Sequence, residues 1–184
     1  MSANVLLISA QILKDRTGIH SNIDEKLLLP EIKAAQDMFI HPILGSALYD
    51  KIISDVQGGS ITGEYKDLLD DYIIDALLYY VLAGLPEALS YQFWNKGVLR
   101  KTADNSESPA IEELISLSNK YRVRAEWYGE RLSRYLLENA STSVLPEYLE
   151  NNNSDQIQPG KPFTIPIYLG GERKLDQNNC NCNE

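Results

Sequence analysis

The sequence predicts an all-α protein: a helical bundle built on two long antiparallel helices, with shorter N-terminal helices before them and an extended C-terminal tail. Three observations carry this prediction. Positions 65, 68, 69, 72, 73, 76, 77, 80 and 84, apolar throughout with glycine at 84, follow the i, i+3, i+4, i+7 rule without a gap. Leu114, Ser118, Tyr121, Ala125, Tyr128, Leu132 and Tyr135 alternate by four and three, a heptad-like seam on a second long helix. Between Ile23 and Ile53 the string IDEKLLLPEIKAAQDMFIHPILGSALYDKII reads as helix, proline, helix, a Pro-x-x-Gly stop and a third short helix. With 184 residues, 43% hydrophobic and 23% charged, the chain reads as one domain, or one domain plus a tail, and can bury a sizeable core.

Taken in order, residues 1–22 read as an N-terminal arm, with a short strand at Val5–Ile8, a helical turn at Ser9–Leu13 and a break at Gly18. Ser21 and Asp24 have the shape of a capping box for the first bundle helix. Pro30 lacks a donor and collides with the preceding turn, so a kink or a restart is expected there. Beyond it Ile32, Ala35, Phe39 and Ile40 form an apolar face. His41 precedes Pro42 and is pushed out of the helical region, which predicts a helix end. Gly45 allows a turn, and Ser46 is expected to cap a short helix through Val56.

Gln57–Gly63 is a loop by its glycines, and Thr62 is the expected cap of the first long helix. From Tyr72 onward that helix is apolar nearly all round, so it should be the buried centre of the bundle. Pro86 marks a kink or a break, with one or two helical turns continuing from Glu87 to Trp94. Asn95–Pro109 is polar, with a strand or hairpin at Gly97–Lys101. Ser108-Pro109 opens the longest helix, with Glu112 and Glu113 in its first turn. Running to about Asn139, this helix spans about 45 Å. Arg122 with Glu126, and Glu130 with Arg134, are spaced for i, i+4 pairs. Ser143–Leu149 adds a short helix. Composition changes near 151, which divides the chain into an arm (1–22), a helical domain (23–150) and an extended tail (151–184).

Charge and motif content narrow the function. A net charge of −9 disfavours non-specific nucleic-acid binding over the whole surface. No basic lead precedes Val5–Ile8, so a secretory signal is not expected, and no run of 18 apolar residues predicts a membrane span. Cys180 and Cys182 read as exposed reduced thiols in the tail, since metal sites built on cysteine usually want four ligands at wider spacing. His41 and His20 read as structural or surface residues. Hydrolase, zincin and phosphate-loop signatures are absent, so neither catalytic activity nor a cofactor is expected.

Three clusters stand out. Asp67, Asp71 and Asp75, with Asp70 beside them, form an acidic stripe at four-residue spacing. A di-metal reading needs Glu-x-x-His motifs on facing helices, so a solvated face, or one turned to a neighbouring subunit or channel, is expected instead. With Arg122 and Arg131 these aspartates are the candidate subunit-interface or channel residues. Lys96, Arg100 and Lys101 are the better candidates for touching DNA or an acidic partner, because the cations of the last long helix spread around it. The tyrosines and tryptophans at helical spacing read as core and interface packing, not base stacking.

The string D-E-K-x-L-x-P-x-I-x-x-A-x-x-x-x-I-x-P-x-L-G-x-x-L-Y, from Asp24 to Tyr49, resembles the N-terminal helices of tailed-phage head–tail connector proteins, also called head-completion, adaptor or neck ring proteins. It is particularly similar to versions in crAss-like and related phages of gut Bacteroidetes, and the likeness extends over roughly residues 20–150. The resemblance implies a ring of about twelve copies beneath the portal, extending the DNA channel toward the tail. It also implies a virion location in the neck, with assembly in the host cytoplasm. Implied partners are further copies, the portal, other neck or tail proteins and the passing genomic DNA, with no membrane. Portal docking would fall to the C-terminal segment, where Phe163, Ile165, Ile167, Tyr168 and Leu169 could add an edge strand to a partner sheet. The 95–108 loop and the CNC tail depart from a minimal connector. Competing readings are a DNA-packaging accessory or other nucleic-acid-handling helical protein, and an enzyme with an acidic metal site.

Overall fold

The computed structural model of the chain describes residues 5–94, 97–100 and 109–150. The fold is all-α, with one small hairpin. Its helices are α1 (Ala10–Arg16), α2 (Glu25–Ala35), α3 (His41–Leu44), α4 (Ser46–Gly58), α5 (Glu64–Leu68), α6 (Ile74–Ser90), α7 (Ile111–Asn139) and α8 (Pro146–Glu150). Five-residue π-helical segments, Gln36–Ile40 and Leu69–Ile73, join α2 to α3 and α5 to α6. The second joint makes Glu64–Ser90 one rod of 27 residues.

The two long helices are antiparallel, because Tyr72 meets Tyr135, Tyr79 meets Tyr128 and Ala83 meets Ser118. The heptad seam faces this contact. Of its residues Leu114, Ala125 and Leu132 are buried, as is Leu136 beside it, and the Ser118 hydroxyl donates to the Ala83 carbonyl at 2.6 Å. The rod from Glu64 to Ser90 has the length and composition of a membrane span. A bundle's central helix passes the same test, and here Ile73, Ala76, Leu77 and Val81 are buried in the core. Asp67, Asp70, Asp71 and Asp75 break its apolar run.

The short helices pack on this pair. Leu28 and Ile32 of α2, Ile40, Leu44 of α3 and Leu48 and Ile52 of α4 are all fully buried. Neither proline ends its helix. Pro30 sits inside α2, held by the burial of Leu28 and Ile32 on either side of it. His41 keeps helical angles (φ −54, ψ −47) although Pro42 follows, and its N–H donates to the Gln36 carbonyl across the π turn. The chain turns at Gly45 instead (φ 75, ψ 159), a conformation open chiefly to glycine. Gly45, not Ser46, is the N-cap of α4. Ser46 Oγ lies 3.0 Å from His41 Nε2, and the His41 ring stacks on Tyr49 at 4.4 Å.

Other boundaries also shift. Asp24 itself caps α2, accepting from the Lys26 N–H at 3.0 Å. Gly59 in the left-handed region ends α4, and Gly63 (φ 60), not Thr62, precedes α5. Helix α6 runs through Pro86 to Ser90; Tyr91–Trp94 (β1) is then a strand and not a further helical turn, as suits its aromatic content. It pairs antiparallel with Gly97–Arg100 (β2), with Tyr91 opposite Arg100 and Trp94 opposite Gly97. Helix α7 starts as expected after Pro109, where Glu113 accepts from the Ala110 N–H at 3.0 Å. Among the described residues the spaced pairs Arg122–Glu126 and Glu130–Arg134 are not closed, and α7 makes its ion pair through Arg131 to Asp75 at 3.6 Å.

The stretch read as an arm contributes to the core. Residues 5–9 form no strand, yet Leu7, Ile8, Ala10 and Leu13 are buried. Gln36, itself fully buried, explains why. Its Oε1 accepts from the Leu7 N–H (2.9 Å), while its Nε2 donates to the Val5 carbonyl (3.1 Å) and to Tyr49 Oη (2.6 Å). One side chain thus satisfies extended backbone that has no ladder partner. The expected tail, 151–184, lies outside the described residues.

Candidate functional site

The α6–α7 pair presents two flanks of opposite character. Successive residues on a helix are about 100° apart, so neighbours in sequence are sent to different sides. Tyr79 and Tyr80 illustrate this: Tyr79 stacks on Tyr128 of α7 (4.9 Å, 14°), and Tyr80 stacks on Phe39 of the first π turn (4.3 Å, 4°).

The Tyr80 flank is a groove of about 560 Å³. Its floor is small, with Ala34, Ala35, Ala83 and Gly84, and its rim carries Glu31, Glu87 and Glu126 against one cation, Arg122. Met38 and Phe39 form the apolar wall, and Met38 is 64% exposed. Burial raises the Tyr80 hydroxyl above its ordinary value, helped by the charges of Glu126 and Glu130, so it stays a neutral donor.

The Tyr79 flank is a pocket of about 440 Å³ between the end of α1, α6 and α7. Arg16 and Arg124 line it with Tyr79, Tyr121 and Tyr128, against one carboxylate, Asp75. Asp75 faces Arg16 at 3.9 Å and Arg131 at 3.6 Å, and the Arg131 guanidinium lies 4.6 Å over the Tyr72 ring while donating to the Asp71 carbonyl at 3.2 Å. Among the described residues Arg124 makes no ion pair; its guanidinium lies 6.0 Å from the Tyr121 ring. Burial raises the Tyr128 hydroxyl, reinforced by Tyr79 and Asp75, so it too remains a donor.

Between the flanks, on the face of α7 turned from the core, Val123 and Trp127 are 66% and 58% exposed one turn apart. Trp127 meets Tyr128 edge-on at 4.9 Å, which joins it to the arginine flank.

Of the residues singled out from sequence, Asp71, Asp75 and Arg131 come together, Asp67 lies exposed a turn away, and Arg122 belongs to the opposite flank. These five therefore form no single patch. Lys96, Lys101, Phe163, Ile165, Ile167, Tyr168, Leu169, Cys180 and Cys182 lie outside the described residues, and of Arg100 only the strand backbone is described. Among the described residues no three His, Cys, Asp or Glu side chains converge as a metal-holding group. Arg16 and Met38 were not singled out from sequence; Arg124 was weighed only among the cations spread around the last long helix, and Trp127 only among the aromatics read as core and interface packing. Val123 and Trp127 carried a usable signal, being apolar at i, i+4 opposite the heptad seam; Arg16 carried none, because only folding brings α1 to Asp75. These flanks offer cations, carboxylates, phenol donors and aromatic faces, the chemistry of recognition.

Residues 40–157 match a family described as "Family of unknown function (DUF6712)", a stretch that takes in the Gly45 corner and the α6 and α7 walls of both flanks. No curated protein matches the chain, and no solved structure does. With well over half of its length inside the match, the chain belongs to the DUF6712 family.

Proposed function

We propose that this chain is a structural virion protein, a subunit of a ring in a phage neck that joins the portal to the tail and extends the DNA channel. The observation that carries this reading is the outer face of α7. Val123 and Trp127 stay solvent-exposed on a helix whose other face already supplies the core. Exposed side chains of this size, one turn apart, gain on the order of 1.5–3 kcal/mol each when fully buried, so a neighbouring copy would stabilise them. The resemblance of Asp24–Tyr49 to connector proteins supports the same reading, and its distinctive residues act as architecture. Leu44 and Leu48 fill the core, Gly45 makes the corner, and Tyr49 accepts from Gln36.

In this reading the role is structural and not enzymatic. Phe163, Ile165, Ile167, Tyr168 and Leu169 of the tail dock on the portal or another neck protein, and Lys96, Arg100 and Lys101 meet DNA or an acidic partner. Asp67 and Asp71, solvated on α5 and its π turn, suit a surface that lets DNA slide past.

The test is the protein content of purified phage particles that encode this chain. The expected result is a stoichiometric virion component present in about twelve copies, with DNA-filled heads lacking tails when the gene is disrupted. Particles that lack the protein, or a disrupted gene that leaves tailed particles intact, would overturn the proposal.

A further inference from the structure

The two flanks of the α6–α7 pair are complementary to one another, and they lie on opposite sides of one molecule. On α7, Arg124 and Glu126 are two residues apart, about 200° around the helix, so one copy cannot bring them together. A second copy can. We propose that copies associate head to tail, with the Arg16–Arg124 flank of one seated on the Glu87–Glu126 flank of the next. This rests on the ring reading above and names the faces that meet in it.

Charge is the first argument. At −9 overall the chain repels itself, so copies can approach closely only where the local sign is reversed. The pocket holding Arg16 and Arg124, with a single aspartate, is such a place, and the groove of three glutamates with a single arginine is its counterpart. Arg124 is exposed and makes no ion pair among the described residues, so its guanidinium is open to a carboxylate from outside. Apolar complementarity is the second argument. Trp127 rims the arginine flank through its contact with Tyr128, while Met38 stands exposed on the glutamate flank. A thioether against an indole is a favourable contact that removes the two most exposed large side chains of these rims from water. Symmetry is the third. Two different patches on opposite sides make a heterologous contact, which propagates from copy to copy instead of stopping at a dimer and gives a ring where the rotation between copies closes.

A charge swap tests this. The double variants Arg16→Glu/Arg124→Glu and Glu87→Lys/Glu126→Lys are each expected to stay monomeric by light scattering at low salt, under conditions where the wild type assembles. Mixed in equal amounts they should form rings of alternating subunits, since every junction is then either native or fully swapped. Circular dichroism melts establish that each variant is folded. The milder Arg124→Gln and Glu126→Gln serve as well: each should raise the concentration for half-assembly by about tenfold at low salt, with the difference shrinking at 0.5 M salt. Two monomeric variants that remain monomeric when mixed would overturn the pairing, and so would variants that assemble like wild type, though that second result leaves the ring itself standing. A wild type that never assembles, with or without portal, would remove the ring reading and this one together.

Discussion

Gly129 of α7 lies under the phenolic oxygen of Tyr80 on α6, so close that a methyl group on the glycine would come within 2.8 Å of it. The close approach explains a glycine in the middle of a long helix. Alanine there would gain about 1 kcal/mol of helix propensity. Against that, the Tyr80 ring is stacked on Phe39 and cannot swing away freely, and overpacking costs about 1–3 kcal/mol. Gly129→Ala is therefore expected to destabilise by about 1 kcal/mol. In a Tyr80→Phe background, which removes the clashing oxygen, the same change should be neutral or stabilising. Urea denaturation of the four proteins measures the coupling.

Gln36 is the fastening of the N-terminal stretch. Gln36→Leu keeps the volume but strands the Leu7 N–H and the Val5 carbonyl, each costing about 1–3 kcal/mol when unsatisfied. The expected loss is about 2–4 kcal/mol, with faster protease cutting within residues 5–17. Equal protection of that stretch in the variant would contradict the account.

How much of this was legible beforehand divides along physical lines. The seam Leu114–Tyr135 was readable because burial on a long helix leaves a periodic record, and Ser118 and Tyr128 lie on it as expected. Pro42 misled because local sterics favour a break after His41, while burial of Ile40 and Leu44 holds the helix through it; at Pro30 the helix does not restart, and Leu28 and Ile32 are buried on either side. The π turn at Gln36–Ile40 shifts the hydrogen-bond register, a feature with no sequence signature here. The arm was misjudged because its anchor is one glutamine 29 residues away, a long-range contact invisible to periodicity. The site was the least legible part. Arg16 and Arg131 reach Asp75 from two different helices, and only the packing of α1 and α7 on α6 brings them there.

Tyr65 gives a pH prediction. Its hydroxyl donates to Glu147 Oε2 at 2.6 Å. Burial, then that bond and the charges of Glu147, Asp55 and Glu150, push it from 10 up to about 12. Because the folded value lies above the unfolded one, its contribution is whole below about pH 10 and lost as pH rises through about 12. Tyr49, Tyr80, Tyr128, Tyr135 and Tyr148 are raised as well, so the wild type should lose stability throughout this alkaline window. Tyr65→Phe should show a shallower fall of the urea midpoint over the same range. Identical slopes would count against the Tyr65–Glu147 bond.

Val123 and Trp127 separate folding from association. Val123→Ser/Trp127→Ala removes two exposed side chains, so the unfolding free energy of the monomer should change by no more than about 0.5 kcal/mol. Association should weaken by at least tenfold in sedimentation velocity. A large loss of monomer stability would mean that these residues serve the fold instead.

The most direct measurement of the central claim is electron microscopy of the purified chain, alone at high concentration and mixed with the portal protein of a phage that encodes it. The account predicts closed rings with a central opening, seated on the portal in the mixture. A chain that stays a 20.7 kDa monomer under every condition, with portal particles bare, would contradict it.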